Sequence, residues 1–335
     1  MTMYNAVMLF IFGLILLIKG GDWFVDGATA IARRFKIPEL LIGATIVSIG
    51  TTLPEVMVSA GGALAGSGSL AYGNAVGSII CNTSLIAAIT IAVAPAAVER
   101  KTLRTPVIFF TVAAAFYMAV SYITGYFYRW VGFVLLGIFA VYIVINILQI
   151  RRTAPVGKAV DLPEIDPDTE LLDAEQNFSL WRAIPSLVVG ATVIALGADL
   201  LVDNGIFIAR ELGVPETVIA LTFVSLGTSL PELVTAITSL LKGHGSLSLG
   251  NIIGANLFNL VLVSGVSVAL APFEVPTAAT IGGMNASLVM DLPLMLGVMA
   301  LMIVPALIRG KLARWQGISL LVIYAAFCTV QFTVL

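Results

Sequence analysis

The chain has 335 residues, of which 59% are hydrophobic and only 11% charged, with a mean hydropathy of +1.05. Soluble domains carry about 25% charged residues, so this composition excludes an ordinary soluble domain and describes an integral membrane protein whose first partner is the lipid bilayer. A net charge of −2, with no basic aromatic-rich stretch, argues against nucleic acid.

Apolar runs separated by charged or Gly/Pro/Ser-rich breaks predict ten spans, each near the ~20 residues that a bilayer requires. They cover about 4–30, 38–65, 70–94, 104–122, 128–149, 182–207, 215–241, 247–270, 289–308 and 315–334. Met1 to Ala6 lacks the basic flank and cleavage site of a secretory signal and reads as the start of the first helix. Cys81 and Cys328 lie in apolar segments without metal-type spacing and read as packed free thiols. The expected fold is an all-α membrane protein of ten transmembrane helices. Residues 1–150 form one five-helix repeat, 180–335 a second, and the acidic, proline-containing stretch 151–179 a solvated linker without EF-hand spacing. With the N-terminus outside, fourteen Lys/Arg residues fall in inner loops and two, Arg129 and Arg210, in outer ones. That asymmetry predicts a multi-pass protein of the cell (inner or plasma) membrane with both termini outside and a cytoplasmic linker.

Shifting the chain by 177 residues aligns 20–82 with 197–259 without a gap, and 27 of the 63 positions are identical. Each half holds an odd number of spans, so the second copy must be inverted relative to the first. Inverted repeats with polar residues near the midplane are the architecture of secondary transporters. At the centre of the first copy stands Ser48-Ile49-Gly50-Thr51-Thr52-Leu53-Pro54-Glu55. A carboxylate at that depth costs at least ~2.5–3.5 kcal/mol on insertion scales. Pro54 lacks an N–H, which frees a carbonyl one turn earlier, near Gly50. Hydroxyls, carbonyls and a carboxylate thus converge, an all-oxygen set of the kind hard cations prefer. The same device recurs at Ser225-Leu226-Gly227-Thr228-Ser229-Leu230-Pro231-Glu232.

A second polar helix follows in each half, Gly73-Asn74-Ala75-Val76-Gly77 through Asn82 and Gly250-Asn251-Ile252-Ile253-Gly254 through Asn259. Four-residue glycine spacing is accounted for by close helix packing. Asn82 and Asn259 are not, because an amide in lipid must bond across helices or to an ion, and both are candidate cation ligands. Asp22, Asp26, Asp199 and Asp203 read as helix-end or vestibule charges able to pair with Lys19, Arg33 or Arg210. Asp291, before Pro293, reads as an anion favoured by a helix start, and His244, the only histidine, as a loop residue without an evident partner.

The paired G-[TS]-[TS]-L-P-E and G-N-x-x-G-x-x-x-x-N segments resemble the α-repeats of the cation/calcium exchanger superfamily, in particular its prokaryotic sodium/calcium exchangers. The resemblance spans the whole ten-helix layout. It implies antiport of Ca2+ against Na+ by alternating access, with the first and sixth helices sliding as a pair across the other eight. Carried over by position, Glu55 and Glu232 match the central carboxylates. Thr51, Thr52, Thr228 and Ser229 match the adjoining hydroxyl or carbonyl donors. The carbonyls of Ser48 and Ser225 match backbone ligands, and Ser78, Asn82 and Asn259 match ligands on the third and eighth helices. Two departures stand out: Ala255 where many members carry serine, and Asn259 where several carry aspartate, so the Na+ count stays open. The resemblance implies no catalytic residue and no resident cofactor, only Ca2+ and Na+ as transported ions and a chain able to function as a monomer.

One Ca2+ or two Na+ would neutralise two glutamates, so the ions compete for one charge balance. Protons can partly substitute, and an unloaded site hinders movement. The alternative within the superfamily is H+- or K+-coupled exchange, or another divalent metal as cargo. An intramembrane enzyme would need a nucleophile–base pair or metal cage that the sequence does not offer. A channel would more naturally be built as a ring of identical subunits.

Overall fold

The computed structural model describes residues 2–95, 97–153, 180–212, 227–277 and 280–333. A backbone in lipid must satisfy its own polar groups, and the long apolar runs accordingly form helices. In chain order they are α1 (Met3–Arg34), α2 (Glu39–Leu64), α3 (Gly68–Val93), α4 (Arg100–Thr124), α5 (Arg129–Thr153), α6 (Leu180–Glu211), α7 (Leu230–Leu241), α8 (Gly245–Leu270), α9 (Ser287–Arg309) and α10 (Arg314–Thr333). Among the described residues, eight of these are long and apolar enough to cross a membrane: α1 to α6, α8 and α9. The expected seventh span starts earlier than α7; its first part lies outside the described residues, as does most of the linker 151–179.

The repeat is realised with its register intact. Met3–Arg34 and Leu180–Glu211 coincide end for end under the 177-residue shift, as do Gly68–Cys81 and Gly245–Phe258. Both α3 and α8 then widen into a π turn, at Asn82–Ala87 and Asn259–Val263. Another π turn, Gly43–Val47, lies in α2, where the Tyr142 hydroxyl donates to the Ala44 carbonyl at 2.8 Å.

Helices α1 and α6 form an antiparallel pair with touching backbones. A Cβ added at Gly13 would stand 2.8 Å from the Gly197 carbonyl oxygen, and one at Gly20 would stand 3.0 Å from that of Gly190. The pair lies beside the bundle rather than within it. Only 22% of the most apolar stretch of each of its helices is buried, against 72% in α3 and 83% in α8. Two hydrophobic clusters follow the same division. The larger joins α3, α4, α5, α8 and α9; the smaller joins α1, α6 and the start of α2 around Phe24, Val25, Ile42 and Val47.

Extended structure, absent from the all-α expectation, occurs only in short pieces among the described residues. β1 (Tyr126–Phe127) pairs antiparallel with β2 (Phe273–Glu274), tying the α4–α5 turn to the segment after α8. A small hairpin joins β3 (Thr280–Ile281) to β4 (Met284–Asn285). Both lie between helices, where hydropathy is uninformative and Gly125, at φ 62°, lets α4 end in a left-handed turn.

Candidate cation site

Glu55 lies in α2, which runs through Pro54 as an unbroken helix from Ser48 to Leu64. Pro54 has no N–H to give, so the Gly50 carbonyl loses its usual helical donor. Glu232 lies in the first turn of α7, which begins at Leu230 after a turn at Thr228 and Ser229. Both glutamates are fully buried, and their carboxylates lie beside each other. The Thr51 and Thr52 hydroxyls of one repeat face the Glu232 carboxylate of the other.

Among the described residues, neither oxygen of either carboxylate has a hydrogen bond of good geometry. The same holds for the Thr52 hydroxyl and for the amide oxygen and nitrogen of Asn82 and Asn259. Buried polar groups are normally paired, and leaving one unpaired costs about 1–3 kcal/mol, more for a charge. These orphaned oxygens, drawn from both repeats, are of the chemical type that hard cations take as ligands. The asparagines reach this place symmetrically: the π turn begun by Asn82 packs on α7, and the one begun by Asn259 packs on α2. π turns recur at functional sites because they displace one residue out of helical register.

Ser229 and Ser78 bring their hydroxyls within 3.5 Å of each other. The Ser48 carbonyl accepts from Thr51 Oγ1 at 3.4 Å, while the Ser48 hydroxyl donates to the Gly43 and Asn251 carbonyls at 2.7 and 2.9 Å. The Ser48 side chain is therefore a tie between α2 and α8. Ser225 lies outside the described residues.

Sequence reasoning missed Asn74 and Asn251. Thr228 Oγ1 donates to Asn74 Oδ1 at 3.0 Å, and Thr51 Oγ1 donates to Asn251 Oδ1 at 3.2 Å. These two bonds are images of each other under the repeat, and each fixes a motif threonine of one half from the opposite half. Asn74 also donates to Ser59 Oγ at 2.8 Å and to the Glu55 carbonyl at 3.3 Å. Both asparagines were visible as identities in the repeat; attributing the segment to glycine packing hid them. That packing is itself present in the second repeat, where a Cβ on Gly254 would collide with Ser48 Oγ and the Ala44 backbone. In the first repeat, Gly73 and Gly77 line a cavity of about 220 Å3 with Tyr72, Tyr324 and Asp291.

Four titratable side chains differ from expectation. The partner of Asp22 and Asp26 is Lys242, at the end of α7, at 3.4 and 2.7 Å. His244 has a carboxylate partner after all: its Nδ1 lies 2.8 Å from Glu39 Oε1, which joins the α7–α8 turn to the start of α2. Asp291 closes a π turn, Ser287–Asp291, that runs on into the rest of α9, and it makes no capping hydrogen bond. None of these partners could be read from spacing, because each pair is more than 200 residues apart or depends on where a helix begins.

A multi-pass helical bundle with a buried, oxygen-rich cluster shared between two sequence repeats has the build of a membrane cation transporter. The chain belongs to the sodium/calcium exchanger protein family, whose model matches residues 5–148 and 182–333 on either side of the acidic linker. It is 33% identical to the putative antiporter CaxA of Alkalimonas amylolytica over 98% of both chains. It is 29% identical to the sodium/calcium exchanger MaX1 of Methanosarcina acetivorans, covering 97% of this chain and 98% of the other. Its fold superposes with a TM-score of 0.79 on the sodium-calcium exchanger NCX_Mj soaked with 10 mM Na+ and zero Ca2+, at 27% identity, over 97% of this chain and 98% of that one. Cation antiport across a membrane is the activity that follows from the family.

Proposed function

We propose that the chain exchanges Ca2+ for Na+ by alternating access, with the ions held between Glu55 and Glu232 near the midplane. The observation that carries this reading is the pair of fully buried carboxylates, one from each repeat, with all four oxygens unpartnered among the described residues. Ca2+ takes 6–8 oxygens at about 2.3–2.6 Å. The two carboxylates, the amide oxygens of Asn82 and Asn259, the Thr52, Ser229 and Ser78 hydroxyls and the motif carbonyls offer that number. Two negative charges balance one Ca2+ or two Na+, which makes the ions mutually exclusive and so couples their fluxes. Thr51 and Thr228, fixed by Asn251 and Asn74, orient the two motifs toward each other.

The moving part in this reading is the α1–α6 pair, whose glycine-lined contact keeps it rigid. It touches both motifs: Phe24 of α1 lies against Gly50, 3.2 Å from where a Cβ would stand, and Val202 of α6 lies against Gly227 at 2.7 Å. A shift of the pair therefore bears on both motif glycines at once. In this reading the Lys242 end of the bundle faces the cytoplasm and both termini lie outside, in the cell membrane, with one chain forming a complete site; the excess of basic residues at the inner loop ends supports that orientation.

The test is Ca2+ uptake into Na+-loaded proteoliposomes diluted into Na+-free buffer, with K+ and pH gradients clamped. Uptake that requires the outward Na+ gradient is the expected result. Uptake driven only by an acid interior, with none from Na+, would replace Na+ by H+ as the coupling ion.

A further inference from the structure

We infer that Lys242 is a latch that holds the cytoplasmic end of the seam between α1 and α7 closed, and that the exchanger rests in that state because the mirrored seam lacks it. The inference rests on the alternating-access reading, since the seam must open in one of the two states. Lys242 Nζ lies 2.7 Å from Asp26 Oδ1 and 3.4 Å from Asp22 Oδ1, and donates to the Asp22 carbonyl at 3.2 Å. One ammonium at the end of α7 thus holds a full turn of α1. Beside it the helices touch: a Cβ on Gly21 would stand 2.7 Å from Val234 Cγ1 and 2.9 Å from Thr238 Oγ1.

If the repeats were identical, the seam between α6 and α2 at the opposite end would be held in the same way. The acids are there, as Asp199 and Asp203, but Ala65 occupies the place of Lys242 and Ala198 the place of Gly21. Met57, which replaces Val234, is 73% exposed, and Gly61, which replaces Thr238, has nothing within 4 Å of an added Cβ. The departures at Lys242 and Gly21 both favour closure of the cytoplasmic end. Two states related by pseudo-symmetry would otherwise be near-degenerate, so a modest bias decides which is populated.

The test uses the full chain in lipid nanodiscs, where both faces meet a membrane-impermeant maleimide, in a Cys81→Ala/Cys328→Ala background. Thr238→Cys places a thiol in the seam, at a position that is 9% exposed. Lys242→Ala is expected to speed its labelling about fivefold, or ~1 kcal/mol, as suits a half-exposed ion-pair cluster. Lys242→Arg should label at the parent rate, and Ala65→Lys, which supplies a base to Asp199 and Asp203, should also speed labelling. Equal rates in the parent and in Lys242→Ala would overturn the latch. If Lys242→Ala does not stay monodisperse, Ala65→Lys decides alone, with faster labelling supporting the inference and no change overturning it. Labelling needs no transport. Failure of the antiport reading would appear instead as absent Na+-driven Ca2+ uptake by the parent.

Discussion

The two copies of the central motif, Gly50-Thr51-Thr52-Leu53-Pro54-Glu55 and Gly227-Thr228-Ser229-Leu230-Pro231-Glu232, differ by a single methyl group, yet their backbones take different courses. In α2 the copy lies inside a continuous helix with Pro54 in its interior; in α7 it turns at Thr228 and Ser229 and restarts at Leu230. An interior proline costs a helix ~3 kcal/mol or more, whereas a proline in the first turn forfeits an N–H that had no helical partner. The motif therefore does not choose its own path. Its neighbours do: an aromatic ring covers Gly50, and a branched aliphatic chain covers Gly227. A segment that accepts two backbone courses suits the proposed alternating access, in which the motif holds ions in two states.

Removing charge should show where the halves are equivalent. Glu55→Gln and Glu232→Gln each leave one carboxylate facing a divalent ion, and each should lower Na+-driven 45Ca2+ uptake about 100-fold or more, since charge count sets Ca2+ affinity. A variant retaining a tenth of the parent rate would show that one half dominates. Packing should show where they diverge. Gly254→Ala drives a methyl into Ser48 and the Ala44 backbone and should cost about 1–3 kcal/mol of stability, read as a lower Tm. The matching Gly77→Ala meets open space and should change Tm little.

The contrast between Gly254 and Gly77 also marks how far sequence reasoning reaches. The membrane-helical fold, the 177-residue register and the two buried glutamates follow from hydropathy and identity alone, because period and composition are local properties. The ties of Asn74 to Thr228, Asn251 to Thr51, Lys242 to Asp26 and His244 to Glu39 join residues that only the packing of one half against the other brings together. Nor does the sequence reveal that each asparagine of the site opens a π turn, since Asn82 and Asn259 sit in runs that read as uniform helix.

Proline replacement probes the backbone difference directly. Pro54→Ala restores an N–H to the interior of α2 and should stabilise the protein by about 1–2 kcal/mol, while slowing exchange by favouring the continuous helix. Pro231→Ala should stay within about 0.5 kcal/mol, because its helix start loses nothing. Equal effects of the two substitutions on Tm would mean that both copies share one course.

The smallest expected effect tests the finest difference between the halves. Ser229 meets the Ser78 hydroxyl at 3.5 Å, whereas its counterpart Thr52 has, at the matching register, Ala255. The Thr52 hydroxyl is buried without a hydrogen-bond partner among the described residues. Ala255→Ser adds one oxygen at that register position and should give Thr52 the contact that Ser229 already has. A net hydrogen bond contributes about 0.5–1.5 kcal/mol, so a Tm increase of a few degrees is expected without ions. With ions present, the added oxygen joins the donor set on the Thr52 side and should shift the half-saturating Ca2+ concentration by a few-fold. A rise in Tm with unchanged ion dependence would place Thr52 in the helix packing and outside the coordination shell. A changed ion dependence with unchanged Tm would show that its hydroxyl serves the cation rather than the fold.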